Sequence, residues 1–253
     1  MTDRAAQLIE RGRGYLADGA FEVAATFFAA GADAGLTESI DDLLATRHAA
    51  LTSYGGCDVV VLAGGGSTRW GSGNKLEAML RGHSLLDWAA VGAAISPHPI
   101  IVGREHGGGP LAALGAVANR LSAPLTWVVA GDQPLVVGAA AAVRSRLLAL
   151  PPRFAAVIAT TIAPPRGRHE GRRNTTGVLW RTDHLRRQLE RAGIAGPLLN
   201  RSAQELYNDC LTGDVVVDSL LTHDCDAPAD LRLVEQQLTM ADLGNCPVPH
   251  PYA

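Results

Sequence analysis

The stretch from Cys57 to Lys75, CDVVVLAGGGSTRWGSGNK, decides the fold. It opens with an apolar run rich in β-branched residues, which is typical of a strand buried on both faces of a parallel sheet. Three glycines at 64–66 follow. They carry no Cβ atoms, so their backbone N–H groups can converge on an anion, and the positive end of the next predicted helix would add to this effect. Lys75, which closes the stretch, is the only lysine among 253 residues.

The glycine-rich turn matches neither of the two common phosphate-binding patterns. A Walker loop has lysine directly after its second conserved glycine, whereas Ser72 follows Gly71 here. The dinucleotide-binding pattern GxGxxG cannot be placed on GGGSTRWG either. The turn therefore keeps two interpretations, a tight turn with surface charges or an anion site in which Arg69 and Lys75 supply the cations.

Outward from this turn, short apolar runs alternate with helical patterns. Strands are predicted at 57–64, 99–103, 125–132, 154–162, 175–182 and 214–220, and helices at 84–95, 109–121, 139–150, 183–193 and 228–238. The alternation predicts an α/β fold, with a Rossmann-like, mainly parallel sheet covered by helices on both faces. Ligands bind such sheets at the carboxyl ends of the strands.

Residues 1–53 show helical patterns without strands and form a predicted N-terminal extension to a domain at 54–253. The first two helices resemble one tetratricopeptide repeat, whose small and aromatic positions fall near Gly14, Tyr15, Gly19, Ala24, Phe28 and Ala32. One repeat cannot bury its own apolar face, so we expect it to pack on the rest of the chain or on a second subunit. A plain helical extension is the alternative.

Composition limits the class of protein. A net charge of −3 argues against general binding of nucleic acid or of anionic membranes, which require a basic surface. The four cysteines lack metal-type spacing and are typical of cytosolic thiols. The N-terminus carries charges where a signal peptide would be apolar, and no apolar run is long enough to span a bilayer. These features predict a cytoplasmic protein.

Two acidic segments follow predicted strands. Asp132, in VVAGDQPL, is suited to hold Mg²⁺ through a carboxylate, or alternatively to cap a turn. Asp224 and Asp226 flank Cys225, so both carboxylates would face one way in an extended segment. Asp226 has two interpretations, as the cap of the helix that starts near Pro228 or as a second metal contact.

Four motifs together carry a family resemblance. LAGGGSTRWGSGNK (62–75), GGGPLAALGAV (107–117), AGDQP (130–134) and DCDAPADL (224–231) resemble, in order, the motifs of molybdenum cofactor guanylyltransferases, the MobA family. The resemblance covers roughly residues 57–238. It implies a nucleotidyltransferase that moves GMP from GTP to the phosphate of molybdopterin and releases pyrophosphate.

The resemblance also implies residue roles. Arg69, Lys75 and Asp132 would be catalytic, and Asp132 with Asp226 would hold the cofactor Mg²⁺. The nucleotide would contact Leu62, Ala63, Gly64, Gly65, Gly66, Ser67, Arg69, Lys75, Pro110, Leu111 and Asp132. GTP and molybdopterin would be the partners, and the N-terminal helices are candidates for contact with a second copy or with a protein of molybdoenzyme maturation.

The sequence departs from the family at several positions. Asn74 replaces an aspartate, Gly103 stands in place of an asparagine, and Glu105-His106 takes the place of an acidic pair in a shortened segment before Gly107. These departures leave open a cytidylyltransferase that uses CTP, or a non-catalytic scaffold that binds a partner through its N-terminus. Arg166, Arg168, Arg172 and Arg173 form either a site for the acceptor phosphate or a solvated loop.

Overall fold

A six-stranded sheet organises the α/β part of the chain. The computed structural model describes residues 3–17, 27–28, 56–64, 70, 74–80, 82–92, 100–103, 108–161, 173–207 and 209–237. The strands are β1 (Cys57–Leu62), β2 (Met79–Leu80), β3 (His83–Ser84), β4 (Ile100–Val102), β5 (Leu125–Ala130), β6 (Phe154–Thr160), β7 (Arg173–Arg181) and β8 (Leu211–Val216). The helices are α1 (Asp3–Ala17), α2 (Leu85–Gly92), α3 (Gly109–Val117), α4 (Ala140–Ala149), α5 (Thr182–Ala195) and α6 (Pro228–Gln237).

The strand order of the large sheet is β4-β1-β5-β7-β6-β8. Strand β1 pairs in parallel with β4 and β5, and β6 pairs in parallel with β8. Strand β7 lies antiparallel to both β5 and β6, so the other five strands all run in one direction. The predicted α/β fold with a mainly parallel sheet is confirmed.

The sheet is buried on both faces because its central strands are apolar at successive positions. In β1, Val59 and Val61 face one apolar cluster, which also contains side chains of α2 and α4. Val60 faces the opposite cluster, formed with side chains of α3 and α5. Helices therefore cover both faces, as the alternation of strand and helix predicted.

Part of the N-terminal segment joins the same core. Ile9 of α1 and the fully buried Phe28 belong to the apolar cluster on the α2 and α4 side of the sheet. Gly12 lies directly against the Phe28 ring, since a Cβ at that position would come within 2.5 Å of Phe28 Cε1. Of the other positions of the predicted repeat, Gly14 and Tyr15 lie in α1, whereas Gly19, Ala24 and Ala32 lie outside the described residues.

Two local expectations were wrong. The last strand was predicted at 214–220 but spans Leu211–Val216, because it is an edge strand with exposed Leu211 and Val216 and so lacks the clean apolar run of the central strands. Helix α2 does not directly follow the glycine-rich turn. A 3₁₀ turn at Lys75–Glu77 and the short β2–β3 hairpin come between them. The positive N-terminal end of α2 therefore does not directly follow the glycine-rich turn and does not add to its attraction for an anion.

Among the described residues, no helix is both long enough and apolar enough to cross a membrane.

Candidate active site

The carboxyl ends of the neighbouring strands β1, β4 and β5 meet at one edge of the sheet. The N–H of Gly131, just after β5, donates to the carbonyl of Leu62 over 3.0 Å, and the N–H of Ala63 donates to the carbonyl of Val102 over 2.8 Å. A Cβ at Gly131 would lie 3.3 Å from Leu76 Cδ2, so glycine lets the segment after the glycine-rich turn approach the end of β5. This approach brings Lys75 beside Asp132.

Lys75 is held in place by its own local turn. The Oδ1 atom of Asn74 accepts the N–H of Leu76 over 3.1 Å, and the Asn74 amide donates to Glu77 Oε1 over 3.2 Å. Asn74 thus caps the 3₁₀ turn that starts at Lys75. An aspartate at this position could accept the same N–H from Leu76 but could not donate to Glu77.

The ammonium of Lys75 joins two carboxylates from distant parts of the chain. Its Nζ donates to Asp132 Oδ2 at the end of β5 and, over 3.1 Å, to Asp226 Oδ1 in the loop before α6. The lysine is buried, with 7% of its surface exposed. Two carboxylates and one ammonium leave one net negative charge at this edge of the sheet.

The pKa of Lys75 reflects two opposed effects. Burial is the largest single effect, and it lowers the pKa because it disfavours the charged ammonium. The hydrogen bonds and negative charges of Asp132 and Asp226 together outweigh burial, so the pKa is raised above the ordinary value of 10.5. Lys75 is therefore a permanent cation at neutral pH and does not act as a base.

The two carboxylates form a donor set that fits Mg²⁺. Oxygens that accept from one nitrogen lie at most about 6 Å apart, so a small movement would bring them to one metal ion. Mg²⁺ typically binds one or two carboxylates together with waters and substrate phosphates. The side chains of Asp132 and Asp226 are 18% and 45% exposed, which leaves access to the site from solvent. The described residues contain no cluster of three or more His, Cys, Asp or Glu side chains placed to bind metal.

The segment 222–226, which we call the acidic loop, is bonded to the end of β5 and to Trp70. The N–H of Cys225 donates to the carbonyl of Asp132 over 2.9 Å, and the Trp70 indole N–H donates to the carbonyl of Cys225 over 3.2 Å. Burial, followed by the nearby carboxylate charges, raises the pKa of the Cys225 thiol to about 12. Cys225 is therefore a neutral thiol at neutral pH when no metal ion is bound.

The structure shows which partners Asp226 and Asp230 have at the start of α6. The carboxylate of Asp230 accepts the N–H of Ala227 over 2.7 Å and so bonds an N–H ahead of α6. The carboxylate of Asp226 faces Lys75 instead. Asp226 therefore lies beside Lys75 and Asp132, and its role as a metal contact stays a prediction. Asp230, in the first turn of α6, bonds the N–H of the residue before the helix.

The predicted nucleotide-binding residues differ in how the structure places them. Leu62 ends β1 and is followed by Ala63 and Gly64, and both Leu62 and Ala63 lie against Gly131, the residue before Asp132. Pro110 is exposed in the first turn of α3, but the side chain of Leu111 is fully buried in the core, so only its backbone could face a ligand. Gly65, Gly66, Ser67, Arg69, Glu105, His106, Arg166, Arg168 and Arg172 lie outside the described residues.

Sequence reasoning missed three contributors to the site. Gln133 and Thr176 bond the acidic loop to the sheet through side chains, and Trp70 bonds it to the segment that carries the glycines. Gln133 and Trp70 lie inside motifs that the sequence had singled out, next to residues of predicted function. No sequence pattern marked Thr176 as part of the site, because it comes near Gln133 only through the pairing of β7 with β5 and β6.

The chain shares its α/β fold with solved structures of nucleotidyltransferases. The chain is similar to 2-C-methyl-D-erythritol 4-phosphate cytidylyltransferase from Thermus thermophilus, at 19% identity and a TM-score of 0.52 over 70% of this chain and 96% of that one. It is also similar to molybdopterin-guanine dinucleotide biosynthesis protein A from Archaeoglobus fulgidus, at 18% identity and a TM-score of 0.50 over 71% and 97%.

A third similar structure is the bifunctional IspDF from Campylobacter jejuni, at 12% identity and a TM-score of 0.57, covering 70% of this chain and 53% of that one. No protein-family profile matches the chain, and no curated protein matches it. At these identities the likeness establishes a shared fold.

Proposed function

We propose that this chain is a Mg²⁺-dependent nucleotidyltransferase that transfers GMP from GTP to the phosphate of molybdopterin. One observation carries the proposal, namely the convergence of Lys75, Asp132 and Asp226 at the carboxyl end of β1 and β5. A fold shared with nucleotidyltransferases supports the reaction class. The order of the four motifs supports the choice of GTP and molybdopterin.

The reaction needs no general base. An oxygen of the acceptor phosphate attacks the α-phosphorus of the nucleotide, a new P–O bond forms, and the bond from the α-phosphorus to the oxygen that bridges to the β-phosphorus breaks. The bridging oxygen leaves with pyrophosphate. The acceptor phosphate is already ionised at neutral pH, so catalysis depends on alignment and on neutralising charge.

Each residue then has a defined task. Asp132 and Asp226 would hold Mg²⁺, which supplies positive charge to the phosphate oxygens. Lys75, a permanent cation in reach of the same position, would contact the phosphates. The net negative charge of the three side chains repels a free triphosphate, so we expect nucleotide to bind together with the metal. The glycines at 64–66, Ser67 and Arg69 would hold the triphosphate through backbone N–H groups and side chains, and Pro110 and the backbone of Leu111 would line the start of α3.

The decisive experiment measures pyrophosphate release from GTP in the presence of Mg²⁺ and molybdopterin. Lys75→Ala is expected to lower the rate by about 10²–10³-fold, because it removes one preorganised charge from the transition state. Arg146→Ala, an exposed cation on α4, is the matched control and should leave the rate unchanged. Full turnover by Lys75→Ala would show that the lysine has no catalytic role.

A cytidylyltransferase is the second candidate, since one of the similar structures is a cytidylyltransferase. Replacing GTP by CTP in the same assay separates the two, because only the true substrate supports release. If neither nucleotide binds, as judged by calorimetry with Mg²⁺, the transferase proposal is wrong, and a scaffold that binds a partner through its N-terminal helices is the better account.

A further inference from the structure

Gln133 is a buried amide placed between the sheet and the acidic loop. It follows Asp132 directly and has no exposed surface. Its Oε1 atom accepts the hydroxyl of Thr176 on β7 over 3.0 Å. Its Nε2 atom donates to Asp224 Oδ1 over 2.8 Å and to the carbonyl of Thr222 over 3.4 Å. Both ends of the amide are therefore paired, as a buried amide requires.

These bonds matter because the two candidate metal ligands lie far apart in sequence. Asp132 belongs to the end of β5, whereas Asp226 belongs to a loop that follows β8. Besides Lys75, which bonds both carboxylates, contacts of two further kinds hold the acidic loop against the end of β5. One is the backbone bond from Cys225 to Asp132, and the other is the side chain of Gln133 on Thr222 and Asp224.

The two contacts have different effects on the loop. The backbone bond fixes the distance of Cys225 from Asp132, and the Trp70 indole bonds the carbonyl of the same residue. Gln133 bonds the loop on the other side, at Thr222 and Asp224, and is itself fixed by Thr176. Together the contacts determine the direction of the next residue, Asp226. Lys75 cannot serve this purpose during the proposed reaction, since it must then face phosphate.

We propose that Gln133 is a positioning residue that sets the separation of the Asp132 and Asp226 carboxylates and thereby the affinity for the divalent cation. The inference rests on the proposed function and adds a residue to which no role in the reaction was assigned. Gln133 touches neither metal nor nucleotide. It acts through Asp224 and Thr222 on the loop that carries Asp226.

The competing explanation is that Gln133 only stabilises the fold. A structural role would lower the melting temperature of a variant and leave the metal affinity of the folded protein unchanged. A positioning role weakens metal binding in protein that is still folded. Loss of a hydrogen-bonding group behind the metal ligands typically weakens metal binding by about 10–100-fold. The test therefore measures metal affinity below the melting temperature of every variant.

The experiment titrates each protein with Mn²⁺ in the presence of GTP and measures free Mn²⁺ by electron paramagnetic resonance. Gln133→Leu is expected to weaken Mn²⁺ binding by about 10–100-fold. Gln188→Leu, which replaces a buried glutamine in the middle of α5, is the matched control and should bind as wild type. Asp224→Leu should weaken binding as Gln133→Leu does, and Asp224→Asn should restore it, because an amide oxygen can accept the same bond from Gln133.

Three results would overturn the inference. The first is wild-type Mn²⁺ affinity in Gln133→Leu. The second is an equal loss in Asp224→Leu and Asp224→Asn, because this would show that the charge of Asp224 matters and the bond to Gln133 does not. The third is absence of Mn²⁺–GTP binding in the wild type, and this result alone would overturn the proposed function as well.

Discussion

At the scale of single residues, the contacts of Lys75 explain why this position holds a lysine in a chain otherwise rich in arginine. Its Nζ is a compact charge that reaches oxygens of two carboxylates on separate loops. A guanidinium is a wide planar fork suited to both oxygens of one carboxylate, and the surrounding core leaves only 7% of the lysine exposed. Arginine would therefore require the two loops to move apart.

The single lysine also makes its ionisation directly measurable. With lysine labelled uniformly in ¹³C, Lys75 gives the one lysine ¹³Cε resonance of the protein, and its shift reports the titration. We expect a midpoint above 10.5, because Asp132 and Asp226 together outweigh the effect of burial. In Asp226→Asn one of the opposing charges is lost, so the midpoint should fall relative to the wild type.

The sign of the linked stability effect follows from the raised pKa. Because the folded protein holds the proton more tightly than the unfolded chain, Lys75 contributes stability that is fully present below about 10.5 and is lost as the pH rises through the folded-state pKa. The difference in unfolding free energy between wild type and Lys75→Met should thus be constant near neutral pH and shrink above 10.5. A wild-type midpoint below 10.5 would mean that burial outweighs the ion pairs.

At the scale of secondary-structure elements, β7 is the one antiparallel strand of the large sheet, and it contains an irregularity next to the site. Gly177, inside the strand, has a φ of 77°. The pairing of β6 with β7 shifts register between Ile158 and Thr160. Thr176, which bonds Gln133, is the neighbour of Gly177. The left-handed backbone at Gly177 therefore directly follows Thr176, whose hydroxyl points toward the buried amide of Gln133.

Gly177→Ala tests this element. A Cβ in this conformation costs about 1–2 kcal/mol, and at this position it would lie 3.1 Å from Val136 Cγ2. We expect the melting temperature to fall by about 2–8 °C for a chain of this size. Gly193→Ala, at a helical glycine where an added methyl group would meet no atom within 4 Å, is the control and should stabilise the protein slightly. Equal effects at both positions in a thermal melt would contradict the strain argument.

The elements also show how far the sequence alone predicts this molecule. The central strands were found because valines at 59–61 and 128–129 are apolar at successive positions, a pattern that is typical of a doubly covered strand. Strand β8 was displaced by three residues because its exposed Leu211 and polar Thr212 obscure that pattern at the edge. The β2–β3 hairpin has only two residues in each strand, too few to produce a periodic pattern.

The site was predictable as a set of residues but not as a set of contacts. Lys75, Asp132 and Asp226 were identified because each follows a strand or a glycine-rich turn near one edge of the sheet. Asp226 faces Lys75, whereas Asp230, four residues later, bonds the N–H of Ala227. The sequence does not show which of the two carboxylates takes which partner, because this depends on how the acidic loop packs. The role of Gln133 depends likewise on a partner from β7.

At the scale of the whole molecule, the N-terminal segment shares the core of the α/β domain. Ile9 and Phe28 belong to the same apolar cluster as Val59 of β1 and Trp127 of β5. From the sequence, the apolar surface of these helices was expected to pack either on the rest of the chain or on a second subunit. These buried contacts within one chain favour the first.

Phe28→Ala tests whether the segment and the domain unfold together. Removing a fully buried phenylalanine typically costs about 3–5 kcal/mol, so the main unfolding transition should move down by about 6–20 °C. Ile194→Ala, an 82% exposed residue near the end of α5, is the matched control and should leave the transition unchanged. Trp127 and Trp180 lie in the sheet, so tryptophan fluorescence reports unfolding of the α/β domain itself. If Phe28→Ala leaves that fluorescence transition in place, the N-terminal segment folds independently, and its packing on the sheet contributes little to the stability of the candidate site.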